Sequence, residues 1–418
     1  MPRVRCRRRR PGGRGCGSRK FSMAWLQWRP GARGDQAKMK FLKILCAIGF
    51  LVVLASNIWS ISGWIEARGV YDDICYLRQA HLFDRFGLRG IDTNITFDDD
   101  HYLKNKLKEI DFPEWNDVKR APCHTWNASA DKHVLQYPPG TGFILSLFPA
   151  GFRVIPLYIL TSVVAVGFSL LALTLASTVY RLILVAAFGD SAIYLMINPA
   201  KASYSVAPTM MICALAGFLT AKLFMQPSRH RFALWAVIGL LIGLSVNFRL
   251  ANLFLAAGYC LYLAGAFLLA RSKETFLQGT AFGIAFLIGM VPTLIANAIN
   301  AGSPFSTTYG GVDVAPPELK ADVVLSYLVD VQFTLLAISV VWTAWLWRVD
   351  RDRARQIAVL VAVNLAVNLI FFMTHPIFTP YYIIPIDMLS LWTLLFATLK
   401  LRSERAAACA AFPQPASA

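Results

Sequence analysis

The sequence predicts an all-α protein that crosses a membrane about ten to twelve times, because apolar residues gather in runs long enough to span a bilayer. Hydrophobic residues make up 56% of the 418 positions and charged residues only 16%. Soluble domains carry about a quarter charged residues, so the composition alone excludes an ordinary soluble fold. Mean hydropathy is +0.50, which agrees with a polytopic membrane protein.

Ten apolar runs approach the length of about 20 residues that a spanning helix needs. A further segment, 138–152, is apolar but short and contains Pro149. We expect it to enter the membrane as a half-helix and return, because a crossing would move two basic clusters to the outer side. The ten predicted spans are about 41–64, 154–179, 182–198, 208–225, 232–248, 250–270, 276–299, 324–347, 356–374 and 381–399.

Basic turns between these runs predict the orientation, since Lys and Arg are enriched in cytoplasmic loops. They lie at Arg181, Arg229 to Arg231, Arg271 and Lys273, Arg348 to Arg355, and Lys400 to Arg405. The segments 65–137, 199–207, 301–323 and 375–380 then face outward. We therefore predict a multi-pass protein of the bacterial cytoplasmic (inner) membrane, with a cytoplasmic N-terminus and a large first outer loop at 65–137.

The chain begins with a basic extension, residues 1–40, that has no apolar period and is predicted to be disordered. Residues 1–43 hold 14 of the 41 Lys and Arg and a single acid, so the net charge of +17 is concentrated here and does not indicate a nucleic-acid partner. One interpretation is a polybasic arm on anionic membrane lipids. The alternative is that translation starts at Met39 and residues 1–38 are absent. Residues 401–418 are predicted to form a cytoplasmic tail.

Two adjacent acids, Asp72 and Asp73, follow the first apolar run and open the predicted outer loop. One interpretation is a helix N-cap, since Asp near a helix start accepts unpaired N–H bonds. The other is a functional pair, because adjacent carboxylates raise one another's pKa and suit a general base or a divalent cation such as Mg or Mn. No metal site is firmly predicted.

Four motifs follow one another along residues 41–400, beginning with the acidic pair. They are Asp72-Asp73-x-x-Tyr76, Tyr137-Pro138-Pro139-Gly140, Asn300-Ala301-Gly302-Ser303-Pro304 with Tyr309, and Tyr382-Ile383-Ile384-Pro385. Together they resemble the motifs of GT-C membrane glycosyltransferases, in particular the protein O-mannosyltransferase and lipid A aminoarabinose transferase group. The chain departs from that pattern at Asp73, where the family has Glu, and at Tyr381, where the family often has a basic residue.

The resemblance implies transfer of a sugar from a polyprenyl-phosphate donor to an envelope glycan, lipid or protein acceptor, with inversion. Asp72 would be the general base, and Asp73 would orient the acceptor or assist a divalent ion. The donor phosphate needs a cationic or polar site facing outward. Candidates for binding donor phosphate or substrate are Arg249, Lys201, Tyr76, Tyr137, His375 and Tyr382. Arg249 also fits an interfacial anchor, and His375 a structural turn residue.

Two other classes of function remain open. A lipid or glycan transporter or flippase would place polar groups near the bilayer midplane, whereas the polar residues here gather on one predicted face. A non-catalytic scaffold would tolerate loss of both acids. No phosphate-binding loop of the GxxxxGKS type is present in the sequence, which argues against ATP-driven transport. Cys75 and Cys123 share the predicted outer loop and are candidates for a disulfide in an oxidising periplasm, or else are free.

Overall fold

Fourteen helices and one short hairpin form the described part of the computed structural model, which covers residues 32–66, 71–196, 203–226, 230–310, 316–375 and 377–401. The side chains of residues 32–35, 71, 72, 190–196 and 380 lie outside this description. The elements are α1 (Ala32–Ser62), α2 (Tyr71–Phe86), α3 (Tyr102–Glu109), β1 (His124–Asn127), β2 (Lys132–Leu135), α4 (Gly140–Ser146), α5 (Val154–Leu175), α6 (Val179–Met196), α7 (Val206–Met225), α8 (Arg231–Val246), α9 (Leu253–Ala270), α10 (Lys273–Ala301), α11 (Ala321–Val329), α12 (Phe333–Arg348), α13 (Asp352–Thr374) and α14 (Ile383–Lys400).

Seven helices in the described part of the chain are long and apolar enough to cross a membrane, so the chain is a multi-pass membrane protein. The count rises to eight if α11 and α12 form one span, although these two helices meet at a bend of 80°. The sequence predicts one straight span at 324–347. A break at Asp330 replaces it, where the Asp330 side chain accepts a bond from the Gln332 N–H and starts a new helix.

Two other predicted spans, 182–198 and 232–248, correspond to α6 and α8. The apolar stretches whose side chains are described there, Val179–Gly189 and Arg231–Val246, are shorter than the seven. The half-helix predicted within 138–152 is α4, whose seven residues are too few to cross a bilayer. At the other end of the chain, α1 begins at Ala32, so residues 32–40 are helical where the sequence predicts a disordered extension. Residues 1–31 and the tail 402–418 lie outside the description.

Helix α14 forms the centre of the bundle, because every residue from Ile383 to Leu399 is buried. Its two ends differ in chemistry. At the Lys400 end, Arg181 donates to the Leu399 carbonyl at 3.0 Å, and Arg351 donates to the Leu401 carbonyl. Basic turns that the sequence assigns to one side of the membrane therefore do meet at one end of the bundle, opposite Tyr382.

The polar segment, residues 65–137, has its own small apolar core. Helices α2 and α3 supply Ile74, Leu103 and Leu107, the turn between them supplies Ile95, and the segment after α3 supplies Ala121. The segment ends in the β1–β2 hairpin, which pairs His124 with Leu135 in an antiparallel register. It is therefore a folded unit that leads the chain back to α4.

Candidate functional site

A polar cavity of about 330 Å³ lies at the Tyr382 end of α14. We call it the tyrosine pocket, because five of its twelve lining residues are tyrosines. It brings together parts of the chain from α2 to the start of α14. The lining residues are Tyr76, Cys123, Gln136, Tyr137, Ser203, Ser205, Arg249, Tyr309, Ile377, Thr379, Tyr381 and Tyr382.

Arg249 supplies a buried positive charge to this pocket. After α8 ends, the backbone of Arg249 is extended, with φ −159° and ψ 125°. Its side chain is 6% exposed and lies over two rings, with the guanidinium carbon 4.6 Å from the Tyr381 centroid and 4.2 Å from the Tyr382 centroid. Nη1 donates to the Tyr381 carbonyl at 3.3 Å. Ring faces attract a cation but do not neutralise its charge.

None of the ion pairs found within the described residues includes Arg249. A buried charge without a carboxylate is costly, so the arrangement is suited to an anionic group that enters the pocket. Serine and tyrosine hydroxyls on the other walls are additional donors for such a group.

Tyr137 and Tyr76 form one wall of the pocket. Their rings are stacked with centroids 4.9 Å apart and an interplanar angle of 22°, and Tyr309 lies 6.0 Å from Tyr137. The structure thus brings together Tyr76, Tyr137, Arg249 and Tyr382, four residues that the sequence predicts as substrate-binding. Tyr309, from the third motif, joins them.

The segment after Tyr137 fixes the turn that carries Arg249. Gly140 N–H donates to the Asn247 carbonyl at 2.7 Å, and Thr141 Oγ1 donates to the Phe248 carbonyl at 3.1 Å. A Cβ on Gly140 would lie 2.7 Å from that same Asn247 oxygen, so only glycine permits this approach. The Pro-Pro-Gly motif therefore positions Arg249 through backbone contacts.

The acidic pair has two different settings. Asp73 is fully buried, and its Oδ1 accepts a bond from the Tyr204 N–H at 2.9 Å. Tyr204 stands between Ser203 and Ser205, which line the pocket, so Asp73 joins α2 to the pocket wall. Asp72 belongs to the first turn of α2, and its side chain lies outside the described residues.

Cys75 and Cys123 form a disulfide, which ties α2 to the residue before β1. Together with His124 they are the one cluster of metal-ligand type that the described residues contain. Both ring nitrogens of His124 are engaged, since Nδ1 bonds the Pro122 carbonyl at 2.9 Å and Nε2 faces Arg78 at 2.9 Å. The cluster is therefore a covalent clamp on the pocket wall.

Arg78 does not pair with Asp73, which lies five residues earlier on α2. It donates instead to the carbonyls of Thr93 and Asn94, each at 3.0 Å, and to His124. Burial lowers the pKa of Arg78 to about 10. Burial, and then the charge of Arg78, hold the pKa of His124 well below its ordinary value, so His124 is neutral and accepts through Nε2.

One predicted binding residue, His375, stands apart from the pocket. His375 packs its ring 5.5 Å from that of Tyr382 but does not line the cavity. Burial and the charge of Arg249 lower the pKa of His375. Neutral imidazole cannot supply a positive charge to a phosphate. Lys201 lies outside the described residues.

Asn300, from the third motif, has a structural role. Its Oδ1 accepts bonds from the Thr93 N–H at 2.9 Å and the Thr93 hydroxyl at 3.2 Å, while Nδ2 donates to the Ile91 carbonyl at 2.8 Å. These bonds fasten the end of α10 to the polar segment. The motif thus contributes to the pocket through Tyr309, nine residues later.

Several lining residues were missed by sequence reasoning, namely Gln136, Ser203, Ser205, Thr379 and Tyr381. Three of them, Gln136, Thr379 and Tyr381, stand within one to three residues of a predicted tyrosine, and that adjacency is the signal that could have found them. The two serines flank Tyr204 in a stretch with no recognisable pattern.

An apolar groove of about 990 Å³ lies beside the tyrosine pocket. Adjacent residues of the same two hydrogen-bonded segments line the two cavities, so these segments form the partition between them. Tyr137 and Arg249 line the pocket, whereas Pro139, Gly140, Asn247 and Phe248 line the groove. The C-terminal parts of α8 and α10 and the polar segment complete its walls. Its apolar lining includes Phe83, Leu88, Phe97, Phe143, Ile144, Leu244, Phe248, Pro292, Ile295 and Ile299.

Comparisons of the chain with protein-family models, with curated proteins and with solved structures find no match. The function is therefore argued from the site itself.

Proposed function

We propose that this protein transfers a sugar from a polyprenyl-phosphate donor to an acceptor hydroxyl at the outer face of the bacterial cytoplasmic membrane. The observation that carries the proposal is Arg249, a buried cation without a carboxylate partner among the described residues, in a pocket walled by tyrosines. A sugar phosphate combines the two features that such a pocket recognises. Its phosphate is an anion, and its ring has apolar C–H faces.

The size and lining of the pocket fit such a head group. Ligand pockets in proteins begin at about 300 Å³, so about 330 Å³ is suited to a small polar group rather than to a whole lipid. Arginine binds phosphate with two N–H groups in parallel. The GT-C family that the sequence resembles often has a basic residue directly before the late tyrosine. Tyr381 stands at that position here, and Arg249, from the turn after α8, lies against its ring.

The neighbouring groove supports a lipid-linked donor. Its walls are almost entirely apolar, and its volume of about 990 Å³ suits a hydrocarbon chain. Since pocket and groove share a partition, one amphiphile could place its phosphate near Arg249 and its chain in the groove.

Asp72 is the proposed general base. It takes the proton of the acceptor hydroxyl as that oxygen attacks the anomeric carbon. The bond from this carbon to the phosphate oxygen breaks, and the electron pair leaves with polyprenyl phosphate. Arg249 then stabilises the charge that develops on the leaving group. Asp73 holds the Tyr204 N–H, so we assign it to positioning. A role for Mg or Mn remains a prediction.

The test is mass analysis of envelope lipids and glycans from a deletion strain that carries either wild type or Asp72→Asn. Transfer should be restored by wild type and abolished by the variant at equal protein level. Restoration by Asp72→Asn would remove the base assignment. The transporter alternative would be favoured by a different pair of results: the deletion strain lacks a glycan, and the purified protein moves that glycan across a membrane without making or breaking a glycosidic bond.

A further inference from the structure

A carboxamide from α8 bridges the backbone of α10 next to an internal proline. Helix α10 contains Pro292, which has no N–H to donate and opens the hydrogen-bond ladder of a helix. One turn of this ladder joins the carbonyl of Gly289 to the N–H of Thr293, four residues later. Asn247 bonds both atoms. Its Nδ2 donates to the Gly289 carbonyl at 2.7 Å, and its Oδ1 accepts from the Thr293 N–H at 2.9 Å.

The Asn247 carboxamide makes four hydrogen bonds, three of them to α10. Oδ1 also accepts from the Thr293 hydroxyl at 2.8 Å, and Nδ2 also donates to the Leu244 carbonyl at 3.1 Å. The residue is 4% exposed. The donors and acceptors around it admit one orientation of the amide, since the Thr293 N–H needs an oxygen and the Gly289 carbonyl needs an N–H.

The short asparagine reaches the α10 backbone because the two helices touch. Gly239 and Gly243 on α8 and Gly289 on α10 lie in this contact. A Cβ at any of the three would collide with a backbone oxygen of the opposite helix, that of Phe282, Phe286 or Leu240 respectively. Small residues let membrane helices approach this closely. Asn247 stands at the end of that glycine seam.

The same residue begins the turn that carries Arg249. Its backbone carbonyl accepts the Gly140 N–H, and Arg249 follows two residues later with an extended backbone. The turn is thus held on one side by α10, through the Asn247 side chain, and on the other side by α4. Since the guanidinium has a buried and confined position over Tyr381 and Tyr382, a shift of the turn displaces it.

We propose that Asn247 is a positioning residue, whose bridge across the α10 ladder holds Arg249 in register with the phosphate of the donor. This inference rests on the proposed function. Asn247 itself lines the apolar groove and not the tyrosine pocket, so it acts through Arg249.

The experiment compares binding of polyprenyl phosphate and of the uncharged polyprenol of equal length to purified full-length protein in nanodiscs. The ratio of the two affinities measures the phosphate preference alone. Asn247→Leu should lower this ratio about tenfold, the value of one charge-assisted hydrogen bond, and the ratio cancels any change in binding of the chain to the groove that Asn247 also lines. Thr293→Val removes one bond to the same carboxamide and should lower the ratio less, which keeps the test valid if Asn247→Leu does not fold.

Asn368→Leu is the matched control, because Asn368 is also a buried membrane asparagine that donates to backbone carbonyls, those of Phe254 and Asn364. It should lower stability and leave the ratio unchanged. Pro292→Ala removes the proline ring that opens the ladder, so α10 can form its own bond from the Thr293 N–H to the Gly289 carbonyl. The loss of melting temperature caused by Asn247→Leu should therefore shrink in that background.

The outcomes separate the two proposals. A wild-type protein with no preference for phosphate overturns the proposed function. If wild type prefers the phosphate while Asn247→Leu and Thr293→Val keep the ratio within about twofold, the positioning role is wrong and the proposed function stands.

Discussion

Removing the guanidinium of Arg249 is the most direct test of the tyrosine pocket. Arg249→Ala deletes the buried cation, while Arg249→Lys keeps one positive charge and loses the planar fork. Ring contacts with Tyr381 and Tyr382 and a single bond to a carbonyl hold the guanidinium in place. Neither substitution removes the partner of a carboxylate in the described ion pairs, so the protein should remain folded.

The size of the effect follows from burial. A hydrogen bond to a charged group contributes about 1.5–3 kcal/mol, and two unit charges 4 Å apart attract by about 4 kcal/mol at an effective dielectric constant of about 20. We take about 2–4 kcal/mol as the free energy of the interaction between Arg249 and the phosphate. Arg249→Ala should therefore lose roughly 30-fold to 1,000-fold in affinity. Arg249→Lys should lose about tenfold, because lysine binds phosphate as a point charge.

The assay is binding of polyprenyl phosphate to purified protein in nanodiscs, followed by the rate of sugar transfer once the donor is identified. Arg181→Ala is the control, since Arg181 is also a buried arginine that donates to a carbonyl, at the opposite end of α14. It should leave phosphate binding unchanged. If Arg249→Ala folds as wild type does and binds polyprenyl phosphate within about twofold of wild type, the pocket is not the phosphate site.

Four further predictions concern the surroundings of the pocket. Asp72→Asn should lower the transfer rate at least about 100-fold with donor binding retained, and an equal loss of binding would contradict a base role. Cys123→Ser should cost about 2–4 kcal/mol of stability. A thiol reductant should lower the melting temperature of wild type but not of this variant, and an unaffected wild type would contradict the disulfide. Gly140→Ala should cost about 1–3 kcal/mol because its Cβ meets the Asn247 carbonyl, whereas Gly167→Ala, which has open space, should be neutral; equal melting temperatures would refute the contact. The lowered pKa of His124 means that the folded protein loses stability as pH falls below the ordinary value of 6.5, because the unfolded chain takes up the proton first. Melting temperatures at pH 7.5 and 5.5 should differ less in His124→Gln, and an unchanged difference would refute this.

Sequence reasoning succeeded where the signal is local. Apolar runs place most of the membrane helices, and the short run after Pro139 is indeed a short helix. Partners that are set by tertiary contacts give no such signal. Arg78 bonds the carbonyls of Thr93 and Asn94, because the polar segment folds back over α2.

The candidate site shows the same division. Tyr76, Tyr137, Arg249 and Tyr382 are recognisable as candidates, and their joint position around one cavity follows from the packing of the helix ends. The motifs by themselves assign no role to Gly140 and Asn300. Gly140 acts through its backbone N–H and Asn300 through its side chain, and each contacts a segment far away in the chain, which leaves no local pattern.

Composition and hydropathy by themselves determine that this chain is a multi-pass membrane protein, because the transfer of each run into lipid depends on that run alone. The positions of Lys and Arg between the apolar runs also predict that the basic turns lie on one side of the membrane. The tertiary structure decides which polar residues meet. Arg249 lies with Tyr381 and Tyr382 because α8 closes on α10 along glycines and Asn247 bonds α10 at the start of the turn between α8 and α9. These are contacts between residues far apart in the chain.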